Sequence, residues 1–318
     1  MSPLSRRGFL SLGAAAGLAA AWPLRASDEP NFETLEYEWA DSARQRPVPV
    51  RLYLPSSPKR VPLVVVSHGI GGSRRGYSWL GTFLASNGLA ALHLQHVGSD
   101  RQIWAGNPLG VVGRLQDAAQ DREAIARAQD LRFALDQALS GEHAARFDTQ
   151  RIAAAGHSYG ANTTLLASGA RVQRDGRLMD LRDERVRAAI VMSAPPFYGE
   201  GEPQRILGSV TLPTLHVTCT EDIIRIPGYY SGYEDRLAVF DATGSARKWL
   251  AVFEGGSHSV FTDRAGTGGT ALNPQVKMAT RSLALAFLRD VWEGDAAALR
   301  EWPREHSALL ARFSAPGV

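Results

Sequence analysis

Arg151-Ile152-Ala153-Ala154-Ala155-Gly156-His157-Ser158-Tyr159-Gly160-Ala161-Asn162-Thr163-Thr164-Leu165-Leu166 decides how the rest of the chain is read. Arg151–Ala155 is a short apolar run of strand character and Ala161–Leu166 a helix-like one, so Gly156-His157-Ser158-Tyr159-Gly160 falls at a sharp strand-to-helix turn. Such a turn forces the serine into a strained backbone conformation, which flanking glycines permit because a Cβ at their positions would clash. Ser158 Oγ is thereby expected to stand clear at the carboxyl end of a sheet. The helix that starts there presents its first amides to the same spot, so the Tyr159 N–H is a candidate donor to a developing oxyanion.

Outward from this stretch the chain alternates between two patterns. Leu35–Trp39 and Val48–Leu54 alternate polar and apolar residues, as expected of an antiparallel N-terminal hairpin. Val61–Ser67, Ala90–Gln95, Arg151–Ala155, Val186–Met192, Thr214–Thr218 and Lys248–Phe253 are mostly continuous apolar runs, which suits parallel strands covered on both faces. Helix-like stretches lie between them at Tyr77–Ser86, Ala118–Leu139, Thr163–Ala170 and Gln275–Trp292. This order predicts an α/β fold with a mostly parallel central sheet and helices on both faces. Ligands of such sheets bind at the carboxyl ends of the strands.

Two further strand ends carry chemistry in a telling order. Thr218-Cys219-Thr220-Glu221-Asp222 closes the strand after next from the serine, and Gly255-Gly256-Ser257-His258 closes the one after that. Ser, acid and His in that order, each at a strand's carboxyl end, is the placement of the α/β-hydrolase fold, and the resemblance extends over nearly the whole chain beyond residue 26. Ser67-His68-Gly69-Ile70-Gly71-Gly72 after an earlier strand is similar to the oxyanion loop of the dienelactone-hydrolase-like and platelet-activating-factor acetylhydrolase-like branch. The resemblance implies Ser158 as nucleophile, Asp222 as acid, His258 as base, and Ile70 N–H as the second oxyanion donor beside Tyr159. A hydroxyl is a poor nucleophile at neutral pH and needs a neutral imidazole to take its proton, and a carboxylate fixes the imidazole's tautomer. Glu221 is an alternative acid, with Asp222 preferred because it matches the family's position, and Asp263 is next in line. The chain departs from its relatives at Cys219, where many have Gly, and at Ala161, where many lipases have a third Gly.

Other candidates have plainer readings. His68 and His157 are expected to shape their loops, and Cys219 to act as a small buried hydrophobe. His93 and His96 lie an odd number of positions apart on a strand, so they face opposite sides and cannot share an ion. With no His-Glu-x-x-His pattern either, no metal or other cofactor is expected. Trp104, in the segment Gly98–Gly113, and Tyr229 and Tyr230, in Ile223–Gly244, are candidate pocket residues; ordinary loop packing is the equal alternative.

The 318 residues, 44% hydrophobic and 21% charged, suit one large domain over residues 27–318. Residues 1–26 resemble a twin-arginine signal: Arg6-Arg7-Gly8-Phe9-Leu10 precedes a weakly apolar run, and Leu24-Arg25-Ala26 is a fair cleavage site. The run is short for a membrane span. Loss of Arg6, Arg7 and Arg25 takes the 35 basic residues to 32, against 32 acidic, so a nucleic-acid surface is not expected. A lone cysteine excludes an intramolecular disulfide. Together these features point to an exported, periplasmic or secreted serine hydrolase acting on small-molecule or lipid-like carboxylic esters. Lipase-like or polyester hydrolysis, and lactonase or amidase activity, are the neighbouring alternatives. An inactive binding protein on the same fold is disfavoured by the intact Ser, Asp and His.

Overall fold

Six apolar strands build the centre of a nine-stranded sheet in a computed structural model that describes residues 31–174, 176–199, 201–226, 228–264 and 271–317. The signal-like segment 1–26 lies outside the described residues. In chain order the elements are β1 (Phe32–Asp41), β2 (Arg46–Pro55), β3 (Val61–Ser67), α1 (Ser78–Ser86), β4 (Ala90–Leu94), α2 (Val111–Ala118), α3 (Asp121–Ser140), β5 (Phe147–His157) and α4 (Tyr159–Ala167). They continue with β6 (Arg171–Arg174), β7 (Arg177–Asp180), β8 (Ala188–Met192), α5 (Pro203–Leu207), β9 (Thr214–Glu221), β10 (Ile224–Ile226), β11 (Tyr229–Ser231) and α6 (Tyr233–Ala242). The last are β12 (Lys248–Ser257), α7 (Leu272–Glu293), α8 (Ala297–Glu305) and β13 (Leu310–Ser314).

The sheet order is β1-β2-β4-β3-β5-β8-β9-β12-β13. Neighbours from β4 to β12 are parallel, while β2 meets β4 and β13 meets β12 in antiparallel fashion. β1 and β2 form the expected antiparallel hairpin, with Tyr37 opposite Val50.

Successive residues of the central strands point to opposite faces, and both faces are filled. On one, Val64, Val66, Ala153, Ala155, Ile190 and Phe253 pack against Leu80 of α1, Leu283 and Phe287 of α7 and Trp302 of α8. On the other, Leu63, Val65, Ile152 and Ala154 meet Leu131 and Leu135 of α3, and Ala189 and Val191 meet Leu165 of α4 and Val239 of α6. Burial on both sides is why these strands carry no polar alternation.

The structure departs from the expected elements at particular places. The helix-like run Ala118–Leu139 is divided: Ala118 ends α2, and α3 starts at Asp121 after an extended Gln120, with Asp121 and Glu123 in its first turn where they complement the helix dipole. The helix after Ser158 begins at Tyr159 rather than Thr163. The hairpins β6–β7 and β10–β11, helices α5, α6 and α8, and the antiparallel edge strand β13 were not legible as elements, being short or weakly patterned. No helix among the described residues is long and apolar enough to cross a membrane.

Phe287 is fully buried and edge-on to Trp249, with ring centroids 5.4 Å apart. Phe287→Ala should therefore lower the unfolding free energy by about 3–5 kcal/mol, read as a shifted urea midpoint at unchanged slope.

Candidate active site

The site starts from a steric constraint on the turn. β5 ends at His157 and α4 begins at Tyr159, which leaves Ser158 alone to reverse the chain at φ 56°, ψ −123°. A non-glycine residue at positive φ outside the left-handed helical well costs on the order of 1–3 kcal/mol, so the surroundings must hold it. They do so by close approach: a β-carbon at Gly156 would run into the Gly160 carbonyl, and one at Gly160 into the carbonyl of Ser67. The Ser158 N–H also donates to the Met192 carbonyl of the neighbouring strand at 2.9 Å.

Ser158 Oγ lies 2.7 Å from His258 Nε2, and His258 Nδ1 lies 2.7 Å from Asp222 Oδ1. An ionised carboxylate can only accept, so Nδ1 carries the proton and Nε2 is left to accept from the serine hydroxyl. Asp222 is wholly buried. Thr218 Oγ1 donates to its Oδ2 at 2.7 Å, and the buried Arg236 guanidinium reaches its Oδ1 at 3.3 Å. Burial by itself would raise this carboxyl, but the charge and hydrogen bond of His258, with Arg236 behind, hold it well below the usual carboxylate range. Glu221 is exposed, and Asp263 instead accepts from the Ser78 N–H at 2.8 Å, at the start of α1. Of the three acid candidates, the structure brings only Asp222 to His258.

Ile70 and Tyr159 both border the cavity at Ser158. Among the described residues, neither backbone N–H meets an acceptor; for Tyr159 this follows from its place in the first turn of α4. The Ile70 loop is pinned around that amide. Gly71 N–H donates to the Ser99 carbonyl at 2.8 Å, and the Gly71 carbonyl accepts from Trp104 Nε1 at 2.8 Å and Arg264 Nη2 at 2.9 Å.

Two buried groups that the sequence reading did not single out tie these pieces together. Tyr77 Oη accepts from the Gly69 N–H at 3.2 Å and donates to His157 Nδ1 at 2.9 Å; His157 Nε2 then donates to the His258 carbonyl at 2.9 Å. This relay joins the His68–Gly72 loop, the turn at Ser158 and the His258 loop. Burial, followed by the charge of His258, pushes His157 down to about 3, so it stays neutral in this chain of bonds. Arg127, fully buried on α3, donates to the His68 carbonyl, to Ser99 Oγ at 2.7 Å and to Thr163 Oγ1 at 2.9 Å, and lies over the Tyr159 ring at 4.5 Å. It shares the stripe of Leu131, Ala134 and Ala138, and a charge on an apolar helical stripe is the signal that could have found it.

The remaining predicted residues take their places as follows. His68 donates from Nδ1 to the Gly69 carbonyl at 2.7 Å and accepts at Nε2 from the His96 N–H at 3.1 Å. His96 lies beyond the end of β4, between Asp130 and Ser67, whereas His93 packs on Tyr53. Among the described residues, no group of His, Cys, Asp and Glu is placed to hold a metal ion. Cys219 is fully buried. Trp104 and Tyr229 line cavities that reach Ser158. Tyr230 does not: it is exposed and faces away, because its neighbour Tyr229 on β11 takes the inward direction.

With the geometry in place, the fold is that of the α/β hydrolases. Residues 44–103, which include the His68-Gly69-Ile70 loop, match the model of the family described as platelet-activating factor acetylhydrolase, isoform II. The chain is also similar to the solved structure of a ferulic acid esterase from Streptomyces cinnamoneus. That match has a TM-score of 0.62 at 22% identity, over 85% of this chain and 93% of that one. No curated protein matches the chain.

Arg236→Ala would leave the buried Asp222 without its cationic partner. A loss of about 3–5 kcal/mol in stability is expected, measurable by urea titration at neutral pH.

Proposed function

We propose that this protein is a serine hydrolase that cleaves carboxylic esters through an acyl-enzyme. The observation that carries the reading is the continuous chain Ser158 Oγ, His258, Asp222, at 2.7 Å per link, with the serine on a strained turn. As Ser158 Oγ attacks the ester carbonyl, His258 Nε2 takes its proton and Asp222 stabilises the resulting imidazolium. The carbonyl oxygen, now anionic, accepts from the amides of Ile70 and Tyr159. Each such donor typically lends about 2.7–4 kcal/mol to the transition state. His258 then returns the proton to the departing alcohol, and a water activated in the same way releases the acid.

A fluorophosphonate probe should label Ser158, and Ser158→Ala should abolish both labelling and ester turnover. Asp222→Asn should keep the fold by circular dichroism yet lower turnover on the order of 10⁴-fold, because His258 loses its tautomer, while Glu221→Gln should do far less. Label recovered by mass spectrometry on another serine, or a severe loss in Glu221→Gln alone, would overturn the assignment.

The same reading takes the enzyme across the bacterial inner membrane in folded form, on the strength of Arg6-Arg7 and the residues after them. Replacing both arginines with lysine should leave the protein in the cytoplasm in cell fractionation; unchanged export would mean a different route.

A further inference from the structure

Ser158 stands between two cavities of unlike chemistry, one of about 480 Å³ and one of about 540 Å³. Ile70 borders both, but His258 borders only the second. The imidazole that takes the serine proton must hand it to the leaving oxygen, so the alcohol half of an ester lies on the His258 side and the acyl half in the other cavity.

The acyl cavity is walled by Leu115, Pro195, Pro196, Phe197, Tyr198 and Tyr229. Two of its charges, Asp121 and Arg174, are joined in an ion pair at 2.7 Å, and Arg122 beside them is exposed to water. The alcohol cavity is the more strongly positive of the two. Arg75, Arg101, Arg225 and Arg264 line it, with Asp263 as its single carboxylate. Arg75 is matched by Glu36 at 2.9 Å, and Asp263 is answered by Lys277 at 3.7 Å besides its bonds to Ser78. Arg101 and Arg225 are exposed and, among the described residues, meet no carboxylate. Arg264 is held over the Trp104 ring, 5.0 Å from its centroid, with a bond to the Gly71 carbonyl beside the candidate oxyanion amide.

We propose that, within the ester-hydrolase reading on which this rests, the substrate joins an apolar, ring-sized acyl group to an alcohol that carries a negative charge. The arginine-lined cavity draws that charge in and holds the alcohol beside His258.

The test compares aryl esters that carry different charges, each rate taken relative to the same ester's hydroxide-catalysed hydrolysis to remove leaving-group reactivity: benzoates of 4-hydroxybenzoate (anionic), methyl 4-hydroxybenzoate (neutral) and 4-(trimethylammonio)phenol (cationic). Values of kcat/KM should fall in that order. The anionic ester should lead the neutral one by about tenfold at low salt and lose that lead as ionic strength rises. Arg101→Glu with Arg225→Glu, both at exposed positions and checked by circular dichroism, should reverse the order. Equal rates for the three esters, with Ser158 still labelled, would overturn this inference and leave the hydrolase standing. A gain instead for phenyl 4-carboxybenzoate, where the charge sits on the acyl half, would overturn the assignment of the two cavities. Absence of both labelling and turnover would overturn the ester-hydrolase reading and this inference with it.

Discussion

The contact on which the site depends is that of Gly160 against the carbonyl of Ser67, so close that no side chain fits between them. It seats the start of α4 on the end of β3, where β3 and β5 are already in register through Ser67 and Gly156. Because the chain after Ser67 must turn at once, Gly69 comes against Ser158, where an added β-carbon would lie 3.2 Å from that of the serine. The candidate oxyanion amides of Ile70 and Tyr159 therefore come from segments far apart in sequence but held by one packing contact. Strain at Ser158 is sustained by that packing and is not relieved by any local hydrogen bond of its side chain to the helix.

Charge is distributed around this point by a single rule, that burial disfavours the ionised form unless a partner answers it. His68, His96 and His157 are buried without sufficient compensation and are driven neutral, so they serve as fixed donors and acceptors. Asp222 is equally buried but faces His258 and Arg236, and it stays ionised. Arg127 beside the His68–Gly72 loop and Arg236 beside Asp222 are buried cations that brace the arrangement. The one histidine that reaches the serine, His258, keeps part of its ring open to the cavity.

Much of this was legible in the chain itself. The continuous apolar runs marked the parallel strands because each is covered on both faces, and Gly-x-Ser-x-Gly marked the turn because only glycine tolerates the approach of backbone on either side. The order of Ser158, Asp222 and His258 could be read for the same reason: each stands at the carboxyl end of a strand, where a side chain has nowhere to go but toward the rim. What escaped was short or cross-chain. β13 and the small hairpins bury too little to impose a pattern, Tyr77 looks like an ordinary helix-associated residue until its partners Gly69 and His157 are known, and Arg127 shows in the sequence only as a charge on an apolar helical stripe, without its partners His68 and Thr163.

The sequence by itself determined the central strands and the N-terminal hairpin, the turn at Ser158 and the residue types at three strand ends, since periodicity and glycine spacing are local consequences of backbone sterics. Only the tertiary structure decided which carboxylate reaches His258, which tyrosine of Tyr229 and Tyr230 faces the cavity, and that four arginines from separate segments gather on the His258 side of Ser158. Those outcomes depend on where side chains from distant segments point once the sheet has twisted and closed around its core, and no local pattern encodes a direction in space.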